Sequence, residues 1–414
     1  MRSWKSAIRT GPGTRTTSKR YSPCSANQSP PVQRQLNSSM NPELALQALT
    51  ASLNGEGAAV EILPGKTGNQ YLIEEVPSAE LVDYREIAAV VRTSGSTGTP
   101  KRTALSVEAL ASSSMATAEH LGFEGQWLLA LPLHFVAGLA VLTRSLYAGT
   151  RPWAMDLEQS FAAQGFNDAA SALTDRRRLV SMVPTQLQRL LTDPDAQTIS
   201  TLQRFDAILL GGARAPRAVL QEAAKHSLKL HLTYGSSETA GGCVYDAKAL
   251  PGVQVKVIDG RIMLGGPTIA AGYLGNPRLT QQHFSTDAAG TRWYATDDLG
   301  SYTDGVLSVS GRADDVIITG GVKVSAAAVQ RIIESVPGVT AVQVVAVPDA
   351  QWGQQIGAAY AGTASPESLA DAVRETLGAA AVPRRVQRLN ELPLLPNGKI
   401  DRMSLSALLA ASTG

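Results

Sequence analysis

The stretch Thr93-Ser94-Gly95-Ser96-Thr97-Gly98-Thr99-Pro100-Lys101 gathers hydroxyls, two glycines and an ammonium into one short loop. Glycines let backbone amides approach a polyphosphate closely. Hydroxyls and a lysine then supply the donors, and a helix following the loop would add its positive end. A Ser/Thr/Gly-rich linker has similar composition, so the loop alone does not decide. The kinase and ATPase phosphate loop, G-x-x-x-x-G-K-[ST], is excluded, because Gly95 is followed five places later by Pro100 and Lys101 by Arg102. Further along, Tyr234-Gly235-Ser236-Ser237-Glu238-Thr239 places a carboxylate among hydroxyls, a fitting oxygen ligand for a hard cation carried by a nucleotide.

The loop at 93–101 resembles the phosphate loop of the adenylate-forming superfamily, the acyl-CoA synthetases and their relatives, and further stretches resemble that superfamily in the expected order. LLGGARAP (209–216) is similar to its adenine loop, with Gly211, Gly212 and Ala213 lying flat against a purine. The segment at 234–239 resembles Tyr-Gly-x-Thr-Glu, with Ser237 in place of the usual Thr. The match implies that Tyr234 stacks on adenine beside Gly235, Ser237 contacts the α-phosphate and Glu238 binds Mg²⁺. Thr296-Asp297-Asp298 resembles Thr-Gly-Asp, which puts Asp298 on the ribose; Asp297 replaces the usual Gly and leaves open which aspartate serves. GRADDVIITGG (311–321) resembles the hinge motif, with Arg312 on ribose or phosphate and Asp314 as the pivot. LPLLPNGKIDR (392–402) resembles the C-terminal Pro-x-Gly-Lys loop, making Lys399 the catalytic lysine. Each stretch taken singly could be an ordinary turn.

The resemblance implies an acid–thiol ligase in which ATP, Mg²⁺ and coenzyme A act with a carboxylic acid. A carboxylate is a poor electrophile, and transfer of AMP to it creates a mixed anhydride with a good leaving group. Charge builds at the α-phosphorus, where Lys399 and Glu238-bound Mg²⁺ would neutralise it. Thiolysis would then require the C-terminal domain to rotate, withdrawing Lys399 and bringing in Gly320 and Gly321. The segment Leu131–Gly138 and VLTRSLYAG (141–149) are similar to the 2-succinylbenzoate–CoA ligases of menaquinone biosynthesis. Their substrate keeps one carboxylate that is not activated, and the guanidinium of Arg144 suits it; an exposed helix position is the competing reading. His134 falls near the acyl pocket as a gate, not an acid or base. The alternatives are another acyl- or aryl-CoA ligase, a carrier-loading adenylation domain, and a nucleotide-binding descendant without ligase activity.

These loops need strands and helices to carry them. EIAAVV (86–91), WLLALPL (127–133), RLVSMV (178–183), FDAILLGG (205–212) and KLHLTYG (229–235) read as buried strands. Helices are expected over 106–120, 137–147 and 185–191, and after Pro216 at a first helical turn. This alternation predicts a mostly parallel, doubly covered α/β sheet with ligands at the strand C-termini. After Pro251, hairpins around Asp259-Gly260 and Asp304-Gly305 predict a β subdomain. From Arg312 a helix, two strands (VQVVAVPD and IGAAYAG) and the helix ESLADAVRETL predict a small α+β domain. The expected divisions are a tail at 1–40, an N-terminal adenylate-forming domain at 41–311, and a mobile domain at 312–414 joined by a hinge.

The 414 residues carry 37 Lys+Arg and 35 Asp+Glu, and 17% are charged against 44% hydrophobic, which excludes wholesale disorder and bulk-charge nucleic-acid binding. Residues 1–40 hold seven basic residues and no acid, leaving a net −5 on the rest. That head reads as a disordered basic tail, either an organelle-type transit segment or residues upstream of a start at Met40. Cys24 and Cys243 exclude a disulfide scaffold and point to a reducing compartment, so a cytoplasmic location is expected. The apolar stretch Leu128–Thr143 is too short and interrupted to span a membrane. Oligomeric state is left open between monomer and homodimer.

Overall fold

The computed structural model describes residues 42–65, 71–93, 100–157, 161–395 and 398–411. Four β-sheets organise them. The largest has seven strands, in the order Lys248–Ala249, Gly241–Tyr245, Leu230–Ser236, Ala207–Leu210, Arg178–Met182, Gln126–Leu129 and Trp153–Ala154. From Leu230–Ser236 onward its neighbours are parallel, and Gly241–Tyr245 turns back antiparallel at the edge. Its central strands Gln126–Leu129, Arg178–Met182 and Ala207–Leu210 are buried on both faces. Trp127, Leu129, Leu179 and Leu209 enter one core with helices Val107–Leu121 and Val136–Ala148, while Leu128, Val180, Ile208 and Leu210 enter another with helices Ala163–Ser171 and Pro184–Leu191. The period of two along each strand allots successive side chains to opposite layers.

The sheet that carries Thr93 is different. Its order is Gly272–Tyr273, Lys101–Ser106, Ile87–Thr93, Val60–Pro64 and Tyr71–Glu75, and only Val60–Pro64 runs parallel to Ile87–Thr93. Thr93 pairs with Lys101, so residues 94–99 connect two antiparallel strands and do not lead directly into a helix. This corrects the expected helix contribution to the loop. Helix Val107–Leu121 starts only after Ser106, whose side chain accepts from Ala109 N as the N-cap. Six strand residues place that positive end roughly 17 Å from Lys101, far outside the one-turn reach of a helix terminus.

Pro216 stands one position earlier than expected, as N-cap to helix Arg217–Lys225. The expected hairpins form: Asp259 and Gly260 (φ 51° and 77°) join Gln254–Ile258 to Arg261–Gly265, and Asp304 and Gly305 (φ 51° and 77°) join Arg292–Thr303 to Val306–Arg312. Positive φ at both central residues is the geometry whose twist suits a two-residue hairpin. Beyond them, Val316–Thr319, Val322–Ser325, Gly353–Gly362, Val339–Asp349 and Arg385–Arg388 make the fourth sheet. It also buries both faces: Val344 and Ala358 pack under helices Ala326–Glu334 and Pro366–Leu377, while Val345 and Ala359 pack with Leu405 and Leu409 of helix Arg402–Ala411.

Candidate active site

Strand Leu230–Ser236 delivers Tyr234 to Asp298 and passes into the short turn Ser237–Thr239. Gly235 is dictated by sterics, since a Cβ there would lie 2.2 Å from the Gly241 carbonyl oxygen. The turn is held by its own hydroxyls, with Ser236 N donating to Thr239 Oγ1 at 2.9 Å and Thr239 Oγ1 donating to Gly241 O at 2.7 Å. Glu238 is thereby buried at 6% exposure, and its Oε1 accepts from the Tyr273 hydroxyl at 2.9 Å. Burial and the Glu238 carboxylate raise the Tyr273 phenol, so it stays a donor. Lys101 lies over the Tyr273 ring, 5.3 Å from its centroid, which brings the end of the hydroxyl-rich loop beside Glu238. Ser94, Gly95, Ser96, Thr97 and Gly98 lie outside the described residues; Thr93 and Lys101 mark where that loop leaves and rejoins the sheet.

Across the strand ends, Gly211 sits against Leu230–Ser236 so closely that a Cβ would meet Thr233 Oγ1 at 2.2 Å. Gly212 follows with φ 81°, and Ala213 continues the loop. A Cβ at Gly212 would touch Lys399 Cε at 3.4 Å, so the C-terminal loop reaches this floor. At the ends of that loop Leu394 and Ile400 form a bridge, and Gly398 N donates to Leu395 O at 2.8 Å. It is docked by Thr185, whose hydroxyl donates to Gly398 O at 2.6 Å from the first turn of helix Pro184–Leu191. Lys399 reaches solvent yet is ringed by protein, as at a cleft mouth. Desolvation first, and the positive charge of Arg312 next, hold its ammonium below the ordinary lysine value, with Glu238 opposing. Glu238, Arg312 and Lys399 therefore share one electrostatic space, although they are separated by up to 161 positions in the chain.

Arg312 is the hub of the acidic side. Its Nε donates to Asp314 Oδ1 at 2.8 Å, and its guanidinium lies 3.5 Å from Asp297 and 3.6 Å from Asp298. The two neighbouring aspartates are distinguished by their partners. Asp297 is bound by Arg261 at 3.1 Å, whereas Asp298 Oδ2 accepts from the Tyr234 hydroxyl at 2.6 Å. Burial raises the Asp298 carboxyl above its ordinary range, opposed by Tyr234 and Arg312. Gly320 and Gly321 (φ 57° and 83°) form the turn between Val316–Thr319 and Val322–Ser325, and a Cβ at Gly320 would strike the Trp352 ring at 2.5 Å.

Arg144 lies on helix Val136–Ala148 and is buried, at 7% exposure, which disposes of the exposed-helix reading. Its Nη2 donates to the Tyr245 hydroxyl at 3.1 Å, its guanidinium lies over the Trp127 ring at 5.2 Å, and its Nε has no hydrogen-bond partner. A Cβ at Gly241 would stand 3.9 Å from Nη2, so this cation borders the turn that carries Glu238. His134, just ahead of the helix, packs on Phe135 with centroids 4.0 Å apart, and burial lowers its imidazole to about 4. It is neutral near pH 7. Cys243 is fully buried and its thiol is pushed up to about 12, so it is an inert packing residue. Residue spacing missed Tyr273, Tyr245 and Thr185, whose roles depend on partners 35, 101 and 213 positions away.

A glycine floor, a buried carboxylate, an acidic–arginine cluster and a lysine-bearing loop, brought together from distant parts of the chain, define an ATP-dependent, adenylate-forming enzyme. Residues 26–274 match the AMP-binding enzyme family and residues 328–399 the AMP-binding enzyme C-terminal domain, and the chain belongs to that family. Its relatives narrow the branch. A probable 2-succinylbenzoate–CoA ligase from Mycobacterium tuberculosis is 39% identical over 371 residues, covering 87% of this chain and 94% of the relative. A 2-succinylbenzoate–CoA ligase from Salmonella typhimurium is 32% identical over 394 residues, covering 91% and 80%. Among solved structures, o-succinylbenzoate CoA synthetase (MenE) from Bacillus subtilis in complex with the acyl-adenylate OSB-AMP superposes with a TM-score of 0.62 at 27% identity, covering 77% and 69%. ATP-bound MatB from Rhodopseudomonas palustris gives 0.67 at 25% identity, covering 80% and 70%.

Proposed function

We propose that this enzyme converts 2-succinylbenzoate, ATP and coenzyme A to 2-succinylbenzoyl-CoA, AMP and pyrophosphate, a step of menaquinone biosynthesis. The observation that carries the choice of acid is Arg144: a buried guanidinium with no carboxylate partner among the described residues, beside the turn that carries Glu238. A second carboxylate on the substrate supplies the missing anion, and charge-assisted pairing inside protein is strong. The curated relatives of that name support the same reading.

In the first half-reaction a carboxylate oxygen attacks the α-phosphorus, the P–O bond to pyrophosphate breaks, and an acyl-adenylate remains. Lys399 is the group assigned to the developing negative charge, with Ser237 and Lys101 along the phosphates and Thr93–Gly98 as their loop. Tyr234, Gly211, Gly212 and Ala213 bracket the adenine, while Asp298, presented by Tyr234, and Arg312 take the ribose side. Glu238 has the buried carboxylate oxygens that suit Mg²⁺, which when bound supplies charge neutralisation on ATP. In the second half-reaction the coenzyme A sulfur attacks the acyl carbon and the C–O bond to AMP breaks. Residues 312–414 are assigned as the moving unit, pivoting at Asp314 to exchange Lys399 for the Gly320–Gly321 turn.

Pyrophosphate release with ATP, Mg²⁺ and a panel of carboxylates tests the proposal. Release with 2-succinylbenzoate, and a thioester once coenzyme A is added, is expected. Release only with a fatty or simple aryl acid would keep the mechanism and overturn the substrate. No release with any acid would overturn the ligase reading.

A further inference from the structure

At the far end of the strand that delivers Tyr234, three side chains unrelated to the chemistry above converge. His120 comes from the last turn of helix Val107–Leu121, His231 from the start of strand Leu230–Ser236, and Asp246 from the turn after strand Gly241–Tyr245. One nitrogen from each imidazole and one carboxylate oxygen lie within 4.8 Å of one another. Five strand steps separate His231 from Ser236, roughly 17 Å, so the cluster is distinct from the turn that carries Glu238.

We propose that His120, His231 and Asp246 bind a divalent transition-metal ion of the Zn²⁺ class, with solvent completing the coordination. Two imidazoles and one carboxylate are a donor set for such ions and a poor one for Mg²⁺, which prefers oxygen alone. With metal–ligand bonds of about 2.0–2.2 Å, tetrahedral ligand atoms stand about 3.4 Å apart, so the cluster must close by roughly 1.4 Å at most. Side-chain rotation covers that. The cluster is also ordered for the task. Asp246 Oδ2 contacts His231 Nδ1 at 2.9 Å and Oδ1 accepts from Leu232 N at 2.8 Å, which fixes the carboxylate. Asp246 and Ala247 adopt φ 48° and 66°, a left-handed conformation that Asp tolerates and Ala does not favour, in the two-residue turn that folds this carboxylate back onto His231.

The bound ion would staple one helix to two strands that are remote in sequence. It would also bear on the acyl end of the active site. His120 packs edge-on against Tyr245 at 5.3 Å, and Tyr245 accepts from Arg144.

The test uses the full chain, freed of metal by chelation and kept in excess Mg²⁺ so that oxygen-only sites are occupied. Zn²⁺ is titrated by calorimetry, thermal unfolding is followed with and without Zn²⁺, and Co²⁺ serves as the spectroscopic probe. The proposal expects one Zn²⁺ per chain, a rise in Tm, and Co²⁺ absorption bands of a low-coordinate site. Affinity should fall at least tenfold in His231→Gln and in His120→Gln and persist in Glu238→Gln. Asp246→Asn keeps the turn and guards against misfolding of a histidine variant, and it should weaken binding likewise. No Zn²⁺ uptake by the wild type, or uptake undiminished in both histidine variants, overturns the proposal.

Discussion

Replacing Arg144 by Met separates the role of its charge from that of its bulk. The wild-type guanidinium is buried, lacks an anion among the described residues, and is held by Tyr245 and the Trp127 ring. Hydrogen bonds to charged groups contribute about 1.5–3 kcal/mol, and unit charges 4 Å apart at an effective dielectric of 20 attract by about 4 kcal/mol before desolvation. Loss of the carboxylate contact should therefore lower kcat/KM for 2-succinylbenzoate by about 10–150-fold, nearly all of it in KM, with KM for ATP unchanged. Stability should move the other way or hardly at all. The variant forfeits a cation–π contact of about 0.5–2 kcal/mol and the Tyr245 bond, but relieves a buried unpaired cation whose desolvation costs several kcal/mol. Arg144→Lys keeps the charge without the planar fork and should recover only part of the affinity. The assays are initial-rate pyrophosphate release and urea unfolding of the free enzyme. Unchanged kinetics in a folded Met variant, or a stability loss above about 2 kcal/mol accompanied by equal losses for ATP and acid, would refute the reasoning.

Lys399→Ala should cut adenylation by about 10²–10³-fold while thiolysis of supplied acyl-adenylate survives, as read by separate single-turnover assays; joint loss would refute the exchange of Lys399 for the Gly320–Gly321 turn. Because the Lys399 ammonium is depressed, the alkaline limb of kcat/KM should fall below the ordinary lysine value of about 10.4 and shift upward in Lys399→Arg. Gly211→Ala should weaken AMP binding, measured by calorimetry, since its Cβ would displace Thr233. Glu61, buried at 2% and bonded to Arg92 and Arg102 at 2.7 Å each, fixes the strand ends that bracket residues 94–99. Glu61→Gln should cost about 1–3 kcal/mol. Burial alone would raise the Glu61 carboxyl, but the two arginines outweigh it and lower it, so the wild-type advantage is complete above about pH 4.5 and should vanish as pH falls through the depressed value in acid-unfolding curves.

Several features of the sequence were sufficient in themselves. Apolar runs such as Leu128–Leu129 and Ile208–Leu210 announce strands buried on both faces, and the two Asp-Gly pairs announce their hairpins, because backbone preference and burial pattern are local properties. The oxygen-ligand character of Glu238 among hydroxyls was legible in the same way, whereas Asp298, Arg312 and Lys399 were singled out by the resemblance of their stretches to a family. Tertiary structure decided the rest. Lys101–Ser106 is a strand because it pairs with Ile87–Thr93 and Gly272–Tyr273, a partnership no six-residue window encodes, and that pairing removes the helix terminus from the phosphate loop. Asp298 is told from Asp297 only by Tyr234 and Arg261, and Arg144 is told from a surface arginine only by burial beside Tyr245. His120, His231 and Asp246 share no spacing at all. Burial, desolvation and hydrogen-bond partnership arise between residues distant in the chain, so packing alone decides which polar groups meet.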